Sequence, residues 1–251
     1  GYYNFYKSTG QQHANQNPAP VKSLFNDVFF SPGHEGYGYH LPSYWEWVGI
    51  FSGYRKVSFN GANNNILAHE GIECAGIRTA YNANYYSISN TVCYALRYQK
   101  CTQGPQDSYT SQSFPWAPDN SMACAFRYEI MGIFGNNSLT SQLKVQCVYV
   151  GDQDPLPNLQ TVIAQESWWN SQPAGKVITR IFPASGLVAG GSSIYYPSTN
   201  LNARGWGGAY WSSTGNQYND ALTGEFTRQF ASSVKNQERR YGLTIRLFSN
   251  E

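Results

Sequence analysis

The chain of 251 residues is long enough to bury a sizeable core, in one large domain or two small ones. Charged residues make up only 13% of it, about half the roughly 25% of an average globular protein, while aromatic residues reach 16%. That balance excludes a disordered chain, which is poor in rings and rich in charge. A net charge of +2, with no basic run longer than Arg239-Arg240, carries no nucleic-acid or anionic-membrane footprint. No apolar stretch approaches the roughly 18 residues of a membrane-spanning helix.

Gly1 to Asn4 reads as neither a signal peptide nor a transit peptide. Residues 1–36 are polar and turn-rich, broken by the apolar Val28-Phe29-Phe30, and read as an extended arm laid on the domain. The first firm element covers residues 41–51. Ser43 followed by Glu46 fits a capping box, and Tyr44, Trp47, Val48 and Phe51 recur at helical spacing, so a short helix is expected with those four inward. Strand-like alternation follows in three segments. Their one-sided sets are Val92, Tyr94, Leu96 and Tyr98; Met122, Cys124, Phe126 and Tyr128; and Leu143, Val145, Cys147 and Tyr149. Gly135-Asn136-Asn137 between the last two signals a hairpin. Pro155-Leu156-Pro157 breaks the chain, and a second helix is expected from about Asn158, with Leu159, Val162, Ile163 and Trp169 inward. From residue 176 onward strand and loop return, closing with Leu243, Ile245 and Leu247 in alternation. No fixed-period repeat or linker composition divides the chain.

Five cysteines, Cys74, Cys93, Cys101, Cys124 and Cys147, fall in the central part without a CxxC pair or a His at zinc spacing. They allow at most two disulfides in one chain, or buried inert thiols.

Four motifs stand in order along the sequence. Leu41-Pro42-Ser43 leads to Glu46-Trp47. Phe182-Pro183-Ala184-Ser185-Gly186 follows much later, then Tyr210-Trp211-Ser212-Ser213-Thr214, and finally Tyr241-Gly242-Leu243-Thr244-Ile245-Arg246. This order resembles the major paralogous domain (FISUMP-like) family of bacterial surface proteins, in an enlarged version similar to fimbrial tip subunits of Bacteroidales-type bacteria. The resemblance covers about 41–51 and 176–248. It implies an α+β, C-type-lectin-like domain of mixed twisted antiparallel strands with two short helices and long ordered loops, spanning 37–251 with a large central insertion at about 52–175. It also implies an extracellular place on the bacterial surface, at the outer membrane or a fimbrium.

The motifs themselves read first as scaffold. Tyr210-Trp211 supplies core rings, the hydroxyls of residues 212–214 tie a loop to the backbone, and Gly186 and Gly242 mark tight or close-passing backbone. No nucleophile–base pair, His-Glu-x-x-His string, GxSxG or phosphate loop is present, so an enzyme is not expected; Glu166 with Asp152 or Asp154 forms an acid pair only if the fold joins them. Calcium-dependent sugar sites of C-type-lectin-like folds carry an acid after Gln-Pro and a Trp before Asn-Asp. Here Gln172-Pro173-Ala174 and Tyr218-Asn219-Asp220 depart from both, so neither metal nor cofactor is expected. Asp152 and Asp154 offer hard oxygens but read as a loop. From Ser192 to Asp220, rings stand among Gly, Asn and Ser, a composition suited to glycan or protein recognition. Trp206, Asn202, Tyr218 and Asn219 are the candidate ligand-binding residues. The expected function is a surface adhesin or ligand-binding module for a glycan or protein, with other fimbrial subunits as further partners. The alternative is a structural or assembly subunit that pairs its arm with a neighbour's sheet edge.

Overall fold

A helix must satisfy the N–H groups of its first turn, and Ser43 and Glu46 do so reciprocally. In the computed structural model Ser43 Oγ accepts the Glu46 N–H at 3.3 Å, and Glu46 Oε2 accepts the Ser43 N–H at 2.7 Å. The N–H of Tyr44 donates to Thr214 Oγ1 at 3.0 Å, and Ser213 N–H to Pro42 O at 2.7 Å. Helix α1, Tyr44–Phe51, thus begins where the capping box predicts, tied to a strand that follows some 170 residues later. Tyr44, Trp47, Val48 and Phe51 are all buried, as their spacing predicts.

The structure describes residues 2–3, 32–33, 37–51, 57–59, 66–74, 77–87, 91–98, 123–135, 138–151, 162–188, 201–202, 204–215, 220–238 and 241–249. Of residues 2–3, 45, 58, 66–74, 77–87, 98, 123, 151, 201–202, 234–235 and 238 it describes the backbone alone. The strands among them are β1 (Tyr2–Tyr3), β2 (Tyr39–His40), β3 (Val57–Ser58), β4 (Ile66–Cys74), β5 (Ile77–Ser87), β6 (Val92–Tyr98), β7 (Ala123–Met131) and β8 (Gln142–Gly151). After helix α2 (Glu166–Asn170) come β9 (Ile178–Pro183), β10 (Leu187–Val188), β11 (Leu201–Asn202), β12 (Gly207–Gly215), β13 (Asp220–Thr227), β14 (Phe230–Glu238), β15 (Leu243–Thr244) and β16 (Phe248–Ser249).

Strands β4 to β9 form a six-stranded antiparallel meander in sequence order. The second six-stranded sheet, in the order β1-β15-β12-β13-β14-β3, gathers strands from both ends of the chain. Helix α1 lies against β4 of the first sheet and β13 and β14 of the second. One core therefore joins Trp47 and Phe51 of α1, Cys93, Ala95, Tyr128, Leu143 and Phe182 of the meander, and Tyr210 and Phe226 of the other sheet. The opposite face of the meander is covered as well, with Tyr94, Leu96, Ala125 and Val148 packed on Ile163 and Trp169.

This architecture corrects the α+β, C-type-lectin-like expectation. Sixteen strands stand against two short helices among the described residues, and the fold is β-rich. The physical reason is length: at about 1.5 Å of rise per residue, helices of 8 and 5 residues make no layer, while the central block builds a whole sheet. Of the second helix expected from Asn158, the helical residues 162–163 and α2 fall among the described residues, with Ile163 and Trp169 buried as expected. The hairpin signalled by Gly135 exists as β7–β8, and its two one-sided sets coincide: Phe126 faces Cys147 and Tyr128 faces Val145. The set on β6 does not join them. Register places Tyr94 opposite Arg127 and Leu96 opposite Ala125, so Val92, Tyr94 and Leu96 face α2 while Cys93 and Ala95 face α1. A strand covered on both sides leaves no polar face for alternation to mark. The closing segment is likewise broken into β15 and β16 instead of running as one strand.

The α1 start also carries a titration. His40 Nε2 lies 2.6 Å from Glu46 Oε1, and His40 is held by the pairing of β2 with β16, where it faces Phe248. Burial opposes ionisation of Glu46, but the hydrogen bonds of His40 and Ser43 outweigh it and hold the carboxyl below the ordinary glutamate range. A carboxyl depressed in the folded state contributes stability above its unfolded value and loses it as pH falls through the folded value. The melting temperature is therefore expected to fall as pH drops below the ordinary glutamate range, and Glu46→Gln to flatten that slope. Equal pH slopes for the two proteins in thermal melts would refute the assignment.

Candidate functional site

Three loops meet at one end of the meander: 132–141 between β7 and β8, 183–186 after β9, and 204–207 leading into β12. Direct backbone hydrogen bonds join them. Ala184 N–H donates to Ser141 O at 2.8 Å, Gly205 N–H to Ala184 O at 2.8 Å, Gly135 N–H to Gly205 O at 3.1 Å, and Gly186 N–H to Gly207 O at 2.8 Å. Gly205 is required at this junction. Its φ is +81°, and a Cβ there would stand 2.1 Å from Gly135 O and 2.6 Å from Ser138 N. Side chains reinforce the frame: Ser141 Oγ donates to Ile133 O at 2.6 Å, Tyr210 OH to Pro183 O at 2.6 Å, and Thr244 Oγ1 to Ser185 Oγ at 2.8 Å.

The loops enclose a cleft of about 370 Å³ lined by Ser138, Leu139, Ser141, Pro183, Ala184, Ser185 and Arg204. That volume lies at the lower end of the roughly 300–1,000 Å³ of small-molecule sites. Leu139 is 77% exposed, and Trp206, two residues after Arg204 in the same turn, is 51% exposed. A guanidinium, serine hydroxyls and exposed apolar groups on a hydrogen-bonded frame can bind and orient a polar ligand, with most of the ordering complete before it arrives.

Of the four candidate ligand-binding residues, Trp206 stands at this turn. Asn202 is placed by its backbone in β11, opposite Leu187. Tyr218 and Asn219 lie outside the described residues. The cleft residues Ser138, Leu139, Ser141 and Arg204 escaped sequence reading because they come from segments far apart in the chain. One signal pointed to them: neither 130–141 nor 171–219 contains an Asp or Glu.

The other candidates for chemistry are placed elsewhere. Glu166 is an exposed partner of buried Arg127 at 3.4 Å, which also meets Glu129 at 3.3 Å; Asp152 and Asp154 lie outside the described residues. Cys93, Cys124 and Cys147 are free thiols, while the side chains of Cys74 and Cys101 are not described. Cys124 and Cys147 share a hydrogen bond, which holds the Cys124 thiol below its usual range and, with burial, pushes that of Cys147 up. Among the described residues no group of three or more His, Cys, Asp or Glu could hold a metal ion. No helix among them is long and apolar enough to cross a membrane.

No curated protein and no solved structure matches the chain. The model of the family described as Domain of unknown function (DUF8237) matches residues 1–248, and the chain belongs to that family.

Proposed function

We propose that the chain is a ligand-binding module of the bacterial cell surface, an adhesin that recognises a glycan or protein through the cleft at Arg204. The observation that carries this reading is the hydrogen-bonded junction of three loops, with Arg204 and serine hydroxyls lining a cleft and Trp206 exposed on the same turn. A half-exposed Trp on a rigid turn next to a cleft offers a stacking surface at low entropic cost. The four-motif resemblance to FISUMP-like surface proteins supports the location.

The test is a glycan-array screen of the full chain, run with calcium and with a chelator. Binding that survives the chelator is expected, and Trp206→Ala is expected to weaken it about fivefold or more. Unchanged binding by Trp206→Ala would remove the turn from the site.

One observation favours a second reading, as an assembly subunit: β1 adds to the edge of a sheet by pairing Tyr2 with Thr244 and Tyr3 with Leu243. A strand donated by another copy would use the same edge. A silent array with concentration-dependent self-assembly of the same sample would favour it.

A further inference from the structure

Among its described residues the cleft holds a cation and no carboxylate. The other well-placed arginines are engaged: Arg97 binds carbonyls and the Tyr128 hydroxyl, Arg127 meets Glu129 and Glu166, and Arg246 donates to Ile181 O at 3.3 Å while lying over the Phe182 ring. Arg204 makes no hydrogen bond or ion pair among the described residues, although it is only partly exposed. The 12 residues 130–141 and the 49 residues 171–219 supply all the described lining of the cleft, and neither run contains a carboxylate. In a chain of near-balanced charge, 17 basic against 15 acidic residues, this segregation sets the guanidinium among described neighbours that carry no opposite charge.

The remaining lining fits a ligand with one charged end and a polar, ring-shaped body. Ser138, Ser141 and Ser185 each already hold a hydrogen bond within the frame and bring hydroxyl oxygens with acceptor capacity to the lining, and Leu139 brings an apolar wall. A guanidinium fork matches the two oxygens of a carboxylate. The flanking Trp206 suits the apolar face of a sugar ring better than an extended acidic peptide, which presents charge at every residue and has only one cation to meet here. Resting on the ligand-binding reading, we infer that the cleft takes an acidic saccharide, its carboxylate on Arg204 and its ring toward the serine hydroxyls and Trp206.

The experiment compares glycans ending in glucuronic or sialic acid with the same glycans esterified to methyl carboxylates, on the full chain, by titration calorimetry. A hexamer of glutamate is the peptide control. The acids are expected to bind about 10- to 100-fold more tightly than their esters, the range for a charge-assisted hydrogen-bonded pair. Raising the salt is expected to narrow that gap. Arg204→Gln is expected to abolish the preference, Arg204→Lys to keep part of it, and Trp206→Ala to weaken acid and ester alike. Thermal melts confirm that each variant is folded. Equal binding of acid and ester, or a preference that persists in Arg204→Gln, overturns the inference and leaves the ligand-binding reading standing. Arg204-dependent binding of the glutamate hexamer with no glycan bound overturns the saccharide class. Silence towards every glycan and the hexamer overturns both.

Discussion

Trp47→Ala is expected to lower the stability of the chain by about 3–5 kcal/mol, which lowers the melting temperature by roughly 10 °C. Trp47 is fully buried, and four rings surround its own: Phe51 at 5.1 Å, Tyr210 at 5.6 Å, Phe182 at 6.0 Å and Phe248 at 5.0 Å. These come from the helix, both six-stranded sheets and β16, so one indole touches all of them. Its Nε1–H is satisfied by Trp211 O at 3.2 Å, and truncation leaves that carbonyl without the donor as well as opening a cavity. The space for the indole is made by Gly224. A Cβ on that residue would lie 2.6 Å from Trp47 Cδ2 and 2.7 Å from Cε3. Gly224→Ala alone is therefore expected to cost about 1–3 kcal/mol by overpacking. In the Trp47→Ala background the same methyl enters the vacated space, so the double variant should be more stable than the sum of the two losses predicts by about 1 kcal/mol or more. Denaturant unfolding of the four proteins measures the coupling. Additive losses would mean that Gly224 serves the strand and not the ring.

Much of this core was legible, for a local reason. A capping box and a 3.6-residue period are contained within nine residues, so Ser43, Glu46, Trp47 and Phe51 announced α1 and its buried face. The β7–β8 hairpin was legible for the same reason, its alternating sets and turn lying close together. What the sequence left open was non-local. Nothing in residues 92–98 states that both faces of β6 are covered, because the cover comes from α1 on one side and from α2 on the other. The α+β expectation came from a resemblance carried by residues 41–51 and 176–248, whereas the sheets continue through central segments whose alternation is diluted by Gly, Asn and Ala, such as β4 and β5. The cleft follows the same rule. Trp206 was visible as a ring among small polar residues, but Arg204 acquires its setting from Ser138, Ser141 and Ser185, which only the sheet topology brings within reach.

The far end of α1 shows how strongly distant residues can fix a local element, and it carries the second large expected effect. The last turn of α1 contains no basic residue and its carbonyls have no helical donors. Arg97 of β6 supplies them: its Nη1 donates to Val48 O at 3.2 Å and to Gly49 O, and its Nη2 donates to Tyr128 OH at 2.7 Å. Tyr128 passes the bond on, donating to Ile50 O at 2.7 Å. The guanidinium lies 4.4 Å over the Phe126 ring, so a buried charge is held by acceptors on one side and a π face on the other. A cation at a helix C-terminus also meets the negative end of the helix dipole, and burial strengthens that attraction. Arg97→Met keeps the stem but orphans the carbonyls, and is expected to destabilise the chain by about 2–4 kcal/mol. Tyr128→Phe removes one link and should cost about 1–2 kcal/mol. Because both act on the same carbonyl cluster, the double variant should lose less than the sum. Arg97→Lys, set against Arg97→Met, separates two explanations of a loss at this position. If the charge at the dipole matters most, Arg97→Lys restores a large share of the stability; if the planar fork matters most, Arg97→Lys stays close to Arg97→Met. Bonds to two successive carbonyls and a phenol from one guanidinium favour the fork, so the Lys variant is expected to recover less than half. A native-like denaturation midpoint for Arg97→Met would show that the carbonyls of α1 find water instead, and that the helix is held by its cap and its buried face.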